Sequence, residues 1–134
     1  MLAVQDHLQA LQWAKSIGGI DSLVQRSEDN LQIIADWVKQ TPWVDFLATE
    51  PATRSSTSIC LKVIDSEFAE LSENGQRARI KSMTQRLESD NIAYDIAAYR
   101  DAPPGLRIWG GATVESSDIE CLTQWLDWVW QVTY

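Results

Sequence analysis

The sequence is poor in the residues that most often carry chemistry. Its 134 residues include one histidine, His7, and two cysteines, Cys60 and Cys121. His7 sits on a helical stretch beside an acidic residue, with no serine or cysteine at a triad-like spacing, and reads as a surface residue. Two cysteines cannot build a disulfide scaffold; both lie in apolar runs, so buried free thiols in a reduced, cytoplasmic protein are expected. No grouping of histidine, cysteine and carboxylates has metal-ligand spacing, and no glycine-rich phosphate loop occurs, so no metal or nucleotide site is expected. Cations are scarce too: 11 lysines and arginines against 19 acidic residues leave a net charge of -8. That balance repels nucleic acid and anionic membrane surfaces. No apolar run approaches the roughly 18 residues of a membrane span. The start, Met1-Leu2-Ala3-Val4-Gln5-Asp6, lacks the cationic and apolar succession of an export signal.

What is present is the composition of an ordinary folded domain, with 45% hydrophobic and 22% charged residues. The length suits one domain with one core, spanning residues 1–134. The seven tryptophans, Trp13, Trp37, Trp43, Trp109, Trp125, Trp128 and Trp130, are many for this length. Each large ring needs a core or a partner surface to cover it.

Hydrophobic periodicity divides the chain. Val4, Leu8, Leu11 and Ile17, with Ala10 and Ala14, recur at helical spacing up to Gly18-Gly19. A second helical stripe runs through Ile20, Leu23, Val24, Leu31, Ile34, Ala35 and Val38 until Thr41-Pro42 ends it. Trp43 to Leu47 reads as a short edge strand. Ser56 to Ile64 alternates Ile59, Leu61 and Val63 with polar neighbours, the pattern of a half-buried strand. Asp65 to Asn74 is polar and begins with a turn; Gln76 to Ser89 carries Ile80, Met83, Thr84 and Leu87 on one helical face. Ile92 to Ala98 alternates as a further strand, and the proline-rich turn Asp101-Ala102-Pro103-Pro104-Gly105 leads into another, Leu106 to Trp109. Ser117 and Glu120 form a capping-box pattern before the stripe Ile119, Leu122, Leu126 and Val129. The expected fold is α+β: a small, mainly antiparallel sheet of three to four strands covered on one face by helices.

Lys15, Lys39, Lys62 and Lys81 read as solvated charges on helix faces or a strand. Arg107 differs, because it lies within a short apolar strand between Leu106 and Ile108. A guanidinium there needs either an internal Asp or Glu or a ligand anion, and its planar fork suits a carboxylate bidentately. Arg100 stands at the other end of the stiffened turn, so both arginines could face one anionic ligand from a shared rim.

The run Arg100-Asp101-Ala102-Pro103-Pro104-Gly105-Leu106-Arg107-Ile108-Trp109-Gly110-Gly111-Ala112-Thr113-Val114-Glu115 resembles the end of bacterial and archaeal phosphoserine aminotransferases. Two further stretches agree, Trp13-Ala14-Lys15-Ser16-Ile17-Gly18-Gly19 and Pro51 through Val63 with Arg54-Ser55-Ser56-Thr57-Ser58-Ile59-Cys60-Leu61-Lys62 inside it. The resemblance covers essentially this whole chain but only the family's C-terminal portion. It implies the small C-terminal domain of a fold-type I, pyridoxal-phosphate-dependent enzyme that uses glutamate to convert 3-phosphohydroxypyruvate to phosphoserine. It also implies that the large domain, which holds the Schiff-base lysine, the aspartate on the pyridine nitrogen and most of the phosphate cup, is absent. None of the four lysines matches the Schiff-base motif, so no catalytic residue and no cofactor are expected in this chain alone. By the same resemblance Arg107 matches the arginine gripping the substrate α-carboxylate, and Arg100 one near the substrate phosphate or distal carboxylate. Tyr99 stands where some relatives have histidine, and Arg54 is expected to be structural. The implied partners are the missing large domain or a second subunit, a small anionic amino-acid or keto-acid substrate, and homodimerisation of the parent enzyme. The rival expectations are a stand-alone α+β binding or regulatory module and a pure interaction protein presenting exposed tryptophans.

Overall fold

Gly18 and Gly19 separate the first two helices with φ of +115° and +76°, a backbone region that side-chain-bearing residues seldom enter. In the computed structural model, which describes residues 1–133, helix α1 spans Leu2–Ser16 and α2 spans Ile20–Gln40. Thr41 leaves the helix in extended conformation ahead of Pro42, as the steric demand of proline requires. Strands β1 (Val44–Phe46), β2 (Ser58–Val63) and β3 (Gly105–Trp109) form an antiparallel sheet in the order β1-β2-β3. Between β2 and β3 lie the short α3 (Ser66–Glu70), capped by Asp65, and α4 (Glu73–Ser89), capped by Ser72. Helix α5 covers Ser116–Val132. The fold class is α+β, and no helix among the described residues is long and apolar enough to cross a membrane.

The register sorts the strand residues by face. Ile59 lies opposite Ile108, and Leu61 opposite both Phe46 and Leu106; all five are buried. They join Ile34 of α2, Met83 and Leu87 of α4, and Leu126 and Val129 of α5 in one core. Burying each such side chain contributes about 1.5–3 kcal/mol. The alternate residues, Ser58, Cys60 and Lys62 with their partners Trp109, Arg107 and Gly105, point to the other face. At one end of the core Trp43 and Trp130 stack at 4.6 Å, and Trp37 meets Trp43 edge-on at 5.7 Å. The indole N–H groups of Trp37 and Trp43 both donate to Asp127, at 3.0 and 3.2 Å, which satisfies two part-buried donors with one carboxylate.

Several expectations need correction. Ile92–Ala98 is not a strand, because Asn91 and Asp95 adopt left-handed conformations (φ +56° and +53°) that interrupt extended backbone. Only an isolated antiparallel bridge, Ala97 to Leu106, survives, flanked by Arg107 N–H to Ile96 O at 2.8 Å and Ala98 N–H to Gly105 O at 3.1 Å. The capping box at Ser117 does not form: Glu115 is the N-cap and makes no side-chain cap bond. Ser116, the residue before Ser117, donates to the Asn30 side-chain oxygen at 2.9 Å. Cys121 is exposed and Cys60 half-buried, contrary to two buried thiols, because Cys121 falls off the inward stripe of α5. Helix α1 forms as its periodicity predicts yet buries none of its residues; Val4, Leu8 and Leu11 are all more than half exposed.

Candidate functional site

Strand alternation delivers Arg107 to the face opposite the core, because Leu106 and Ile108 on either side point inward. Its side chain is nevertheless only 17% exposed. The 92–99 segment folds over it: the Tyr99 ring lies 4.4 Å from the guanidinium carbon, and Asp95 Oδ2 accepts from Nη2 at 3.1 Å. The carbonyl of Asp95 sits at the outer limit of hydrogen bonding from the same nitrogen, 3.5 Å. Nε is buried with no hydrogen-bond partner. Leaving a buried donor unsatisfied costs about 1–3 kcal/mol, more for a charged group, so the arginine's hydrogen-bonding capacity is incompletely used by this chain.

Arg107 lines a cleft of about 310 Å³ together with Tyr94, Asp95, Trp109, Asp118 and apolar residues of β3 and α5. Tyr94, Tyr99 and Trp109 are each more than half exposed, and all three belong to the segments around the cleft. The chemistry on offer is recognition: a planar cation with spare donors and aromatic surface suits a small planar anion such as a carboxylate.

Arg100 is exposed, in the turn before β3. Its backbone is anchored by Arg77 of α4, whose Nη1 donates to the Arg100 carbonyl at 3.4 Å and whose Nη2 donates to the Ala102 carbonyl at 3.2 Å. Glu73 in turn holds Arg77 at 2.8 Å. The residue brought onto Arg107 is Tyr99, and Arg100 is not among those lining its cleft. Arg54 donates to the carbonyls of Ala48 and Thr49 and covers the Phe46 ring at 3.9 Å, the structural role its position suggested. Lys15, Lys39 and Lys81 are exposed, Lys62 is half-buried, and His7 is exposed. No cluster of metal-ligating side chains occurs among the described residues. Sequence reasoning missed Asp95 as the partner of Arg107; its only signal was a polar residue between Tyr94 and Ile96, which alternation alone assigns to solvent.

Comparison with known proteins adds what geometry cannot. No family model matches the chain. Curated phosphoserine aminotransferases of Methanosarcina mazei and Methanosarcina barkeri are each 45% identical over 132 residues, 98% of this chain and 33% of theirs. A phosphoserine aminotransferase of Nocardioides sp. is 27% identical over 122 residues. Among solved structures, phosphoserine aminotransferase from Bacillus circulans subsp. alkalophilus shares the fold with a TM-score of 0.69 at 17% identity, covering 90% of this chain and 30% of that one. A second phosphoserine aminotransferase, studied for radiation damage of its Schiff base, gives a TM-score of 0.68 at 15% identity over the same shares. The chain is therefore a homologue of the phosphoserine aminotransferases, and it spans about a third of the length of the curated relatives it matches.

Proposed function

We propose that this chain is the C-terminal small domain of a phosphoserine aminotransferase and that Arg107 is its grip on the substrate α-carboxylate. In the complete enzyme the reaction would pass an amino group from glutamate to 3-phosphohydroxypyruvate. The observation that carries this reading is Arg107 itself: a mostly buried guanidinium with an unpartnered Nε, in a cleft whose size and aromatic walls suit a small anion. Arg100, exposed on a turn that Arg77 fixes, would serve the phosphate or distal carboxylate.

The residues of this chain do not fit a Schiff-base cofactor. None of its lysines lines the Arg107 cleft, and three of the four are solvent-exposed. Pyridoxal phosphate would be held by the large domain, which corresponds to the part of the relatives that this chain does not span. What this chain supplies is orientation and charge recognition, with the parent enzyme acting as a homodimer.

Joining the chain to the remaining part of the Methanosarcina mazei relative and assaying glutamate-dependent amino transfer tests the assignment. Arg107→Ala is expected to lower kcat/KM about 10- to 100-fold, the loss of charge-assisted hydrogen bonds. Unchanged kcat/KM in that variant would refute the role given to Arg107.

A further inference from the structure

Asp95 holds Arg107 by one contact that is poorly matched to what a guanidinium can make. The carboxylate meets Nη2 alone at 3.1 Å, while Nε has no partner. The two ends of the pair are in opposite environments, with the arginine side chain 17% exposed and the aspartate 88% exposed. An aspartate so exposed loses little on release, because water replaces its side of the contact; a pair open to water at one end is worth about 1 kcal/mol. A bidentate carboxylate must use Nη2 together with Nε or Nη1, so it draws on the nitrogen that Asp95 occupies.

The backbone explains why Asp95 is there. Its left-handed conformation (φ +53°) turns the chain so that its carbonyl as well as its side chain face Arg107 Nη2. Aspartate is one of the few residues that tolerates this conformation. Tyr99 covers the guanidinium independently, at 4.4 Å, so the arginine keeps a positioned support when Asp95 leaves.

We propose that Asp95 is an internal stand-in for the substrate carboxylate: it occupies Arg107 in the ligand-free chain and is displaced when a ligand carboxylate arrives, setting the threshold affinity of the site. This rests on the reading of Arg107 as a carboxylate site. Asp95 thus lowers by the same modest factor the affinity of every anion that takes Nη2 from it.

The test follows the Arg107 Nε–H resonance by NMR in the 134-residue chain during titration with L-glutamate, at ionic strength held constant with chloride. Asp95→Asn is expected to tighten the apparent Kd about two- to five-fold, the range set by an exposed ion pair. Glu120→Gln removes an equal charge from an exposed position of α5 outside the cleft and is expected to leave Kd nearly unchanged. Equal tightening in the Asp95→Asn and Glu120→Gln variants would overturn the proposal in favour of a general charge effect. An unchanged Kd in Asp95→Asn, with glutamate still shifting Arg107, would overturn the proposal while leaving Arg107 as the carboxylate site. No shift of Arg107 in any variant would overturn both.

Discussion

The buried amide of Asn30 donates to the carbonyl of Gly110 at 3.0 Å, which ties the middle of α2 to the residue immediately after the strand carrying Arg107. The same nitrogen donates to Val114 O at 3.1 Å, and Ser116 donates to the amide oxygen at 2.9 Å, so one fully buried side chain closes the loop from β3 to α5. Gly110 is fitted to the strand beside it, because a Cβ there would lie 2.9 Å from Ile59 Cδ1 and 3.2 Å from the Ser56 carbonyl.

Asn30→Ala is expected to destabilise the chain by about 2–4 kcal/mol, since more than one polar group loses its partner in a dry environment. Urea unfolding at constant slope measures this. A change below about 0.5 kcal/mol, the range of ordinary surface substitutions, would show that the loop is held by other contacts.

Arg77 is the second brace, clamping the turn that bears Arg100. Because its pair with Glu73 is partly exposed, Arg77→Ala is expected to cost about 1 kcal/mol or less in global stability. Its effect should be local: backbone amides of residues 100–102 exchange faster with solvent, while those of β2 and β3 keep their protection. Uniform loss of protection throughout the sheet would contradict a local role.

Asp36 accepts hydrogen bonds from Lys39 and Gln32, and these, with Lys39 contributing most, hold its pKa below the ordinary carboxylate range. A depressed folded-state pKa means that its contribution to stability is present above the unfolded value of about 4 and is lost as pH falls through the folded value. Asp36→Asn should therefore narrow the stability gap between neutral pH and acid. The two proteins should converge as the wild-type carboxyl becomes protonated; a gap independent of pH would exclude this ionisation as the cause. The pair is exposed, so added salt should shrink the difference at neutral pH.

Much of the fold was readable locally. The stripe from Ile20 to Val38 and the breaks at Gly18-Gly19 and Thr41-Pro42 set α2 at Ile20–Gln40, because helical burial, glycine freedom and proline sterics all act within a few residues. The strand around Ile59, Leu61 and Val63 was legible for the same reason. The segment 92–98 was not. Its alternation matched a strand, but the positive φ at Asn91 and Asp95 overrides that pattern, and only chain packing reveals such a conformation.

For the site, the sequence alone marked Arg107 as a charge in an apolar strand and supplied the family likeness on which its proposed carboxylate role rests. Its partners belong to tertiary structure: Asp95 and Tyr99 reach it only because a left-handed residue and a proline-stiffened turn fold their segment back onto β3. The scarcity of histidine and cysteine was likewise fixed by composition. Which face of each amphipathic element finds a partner was decided by packing alone. The stripe of α1 stays in solvent while that of α5 is buried, since periodicity records that a face is apolar but only the arrangement of neighbouring elements determines what covers it.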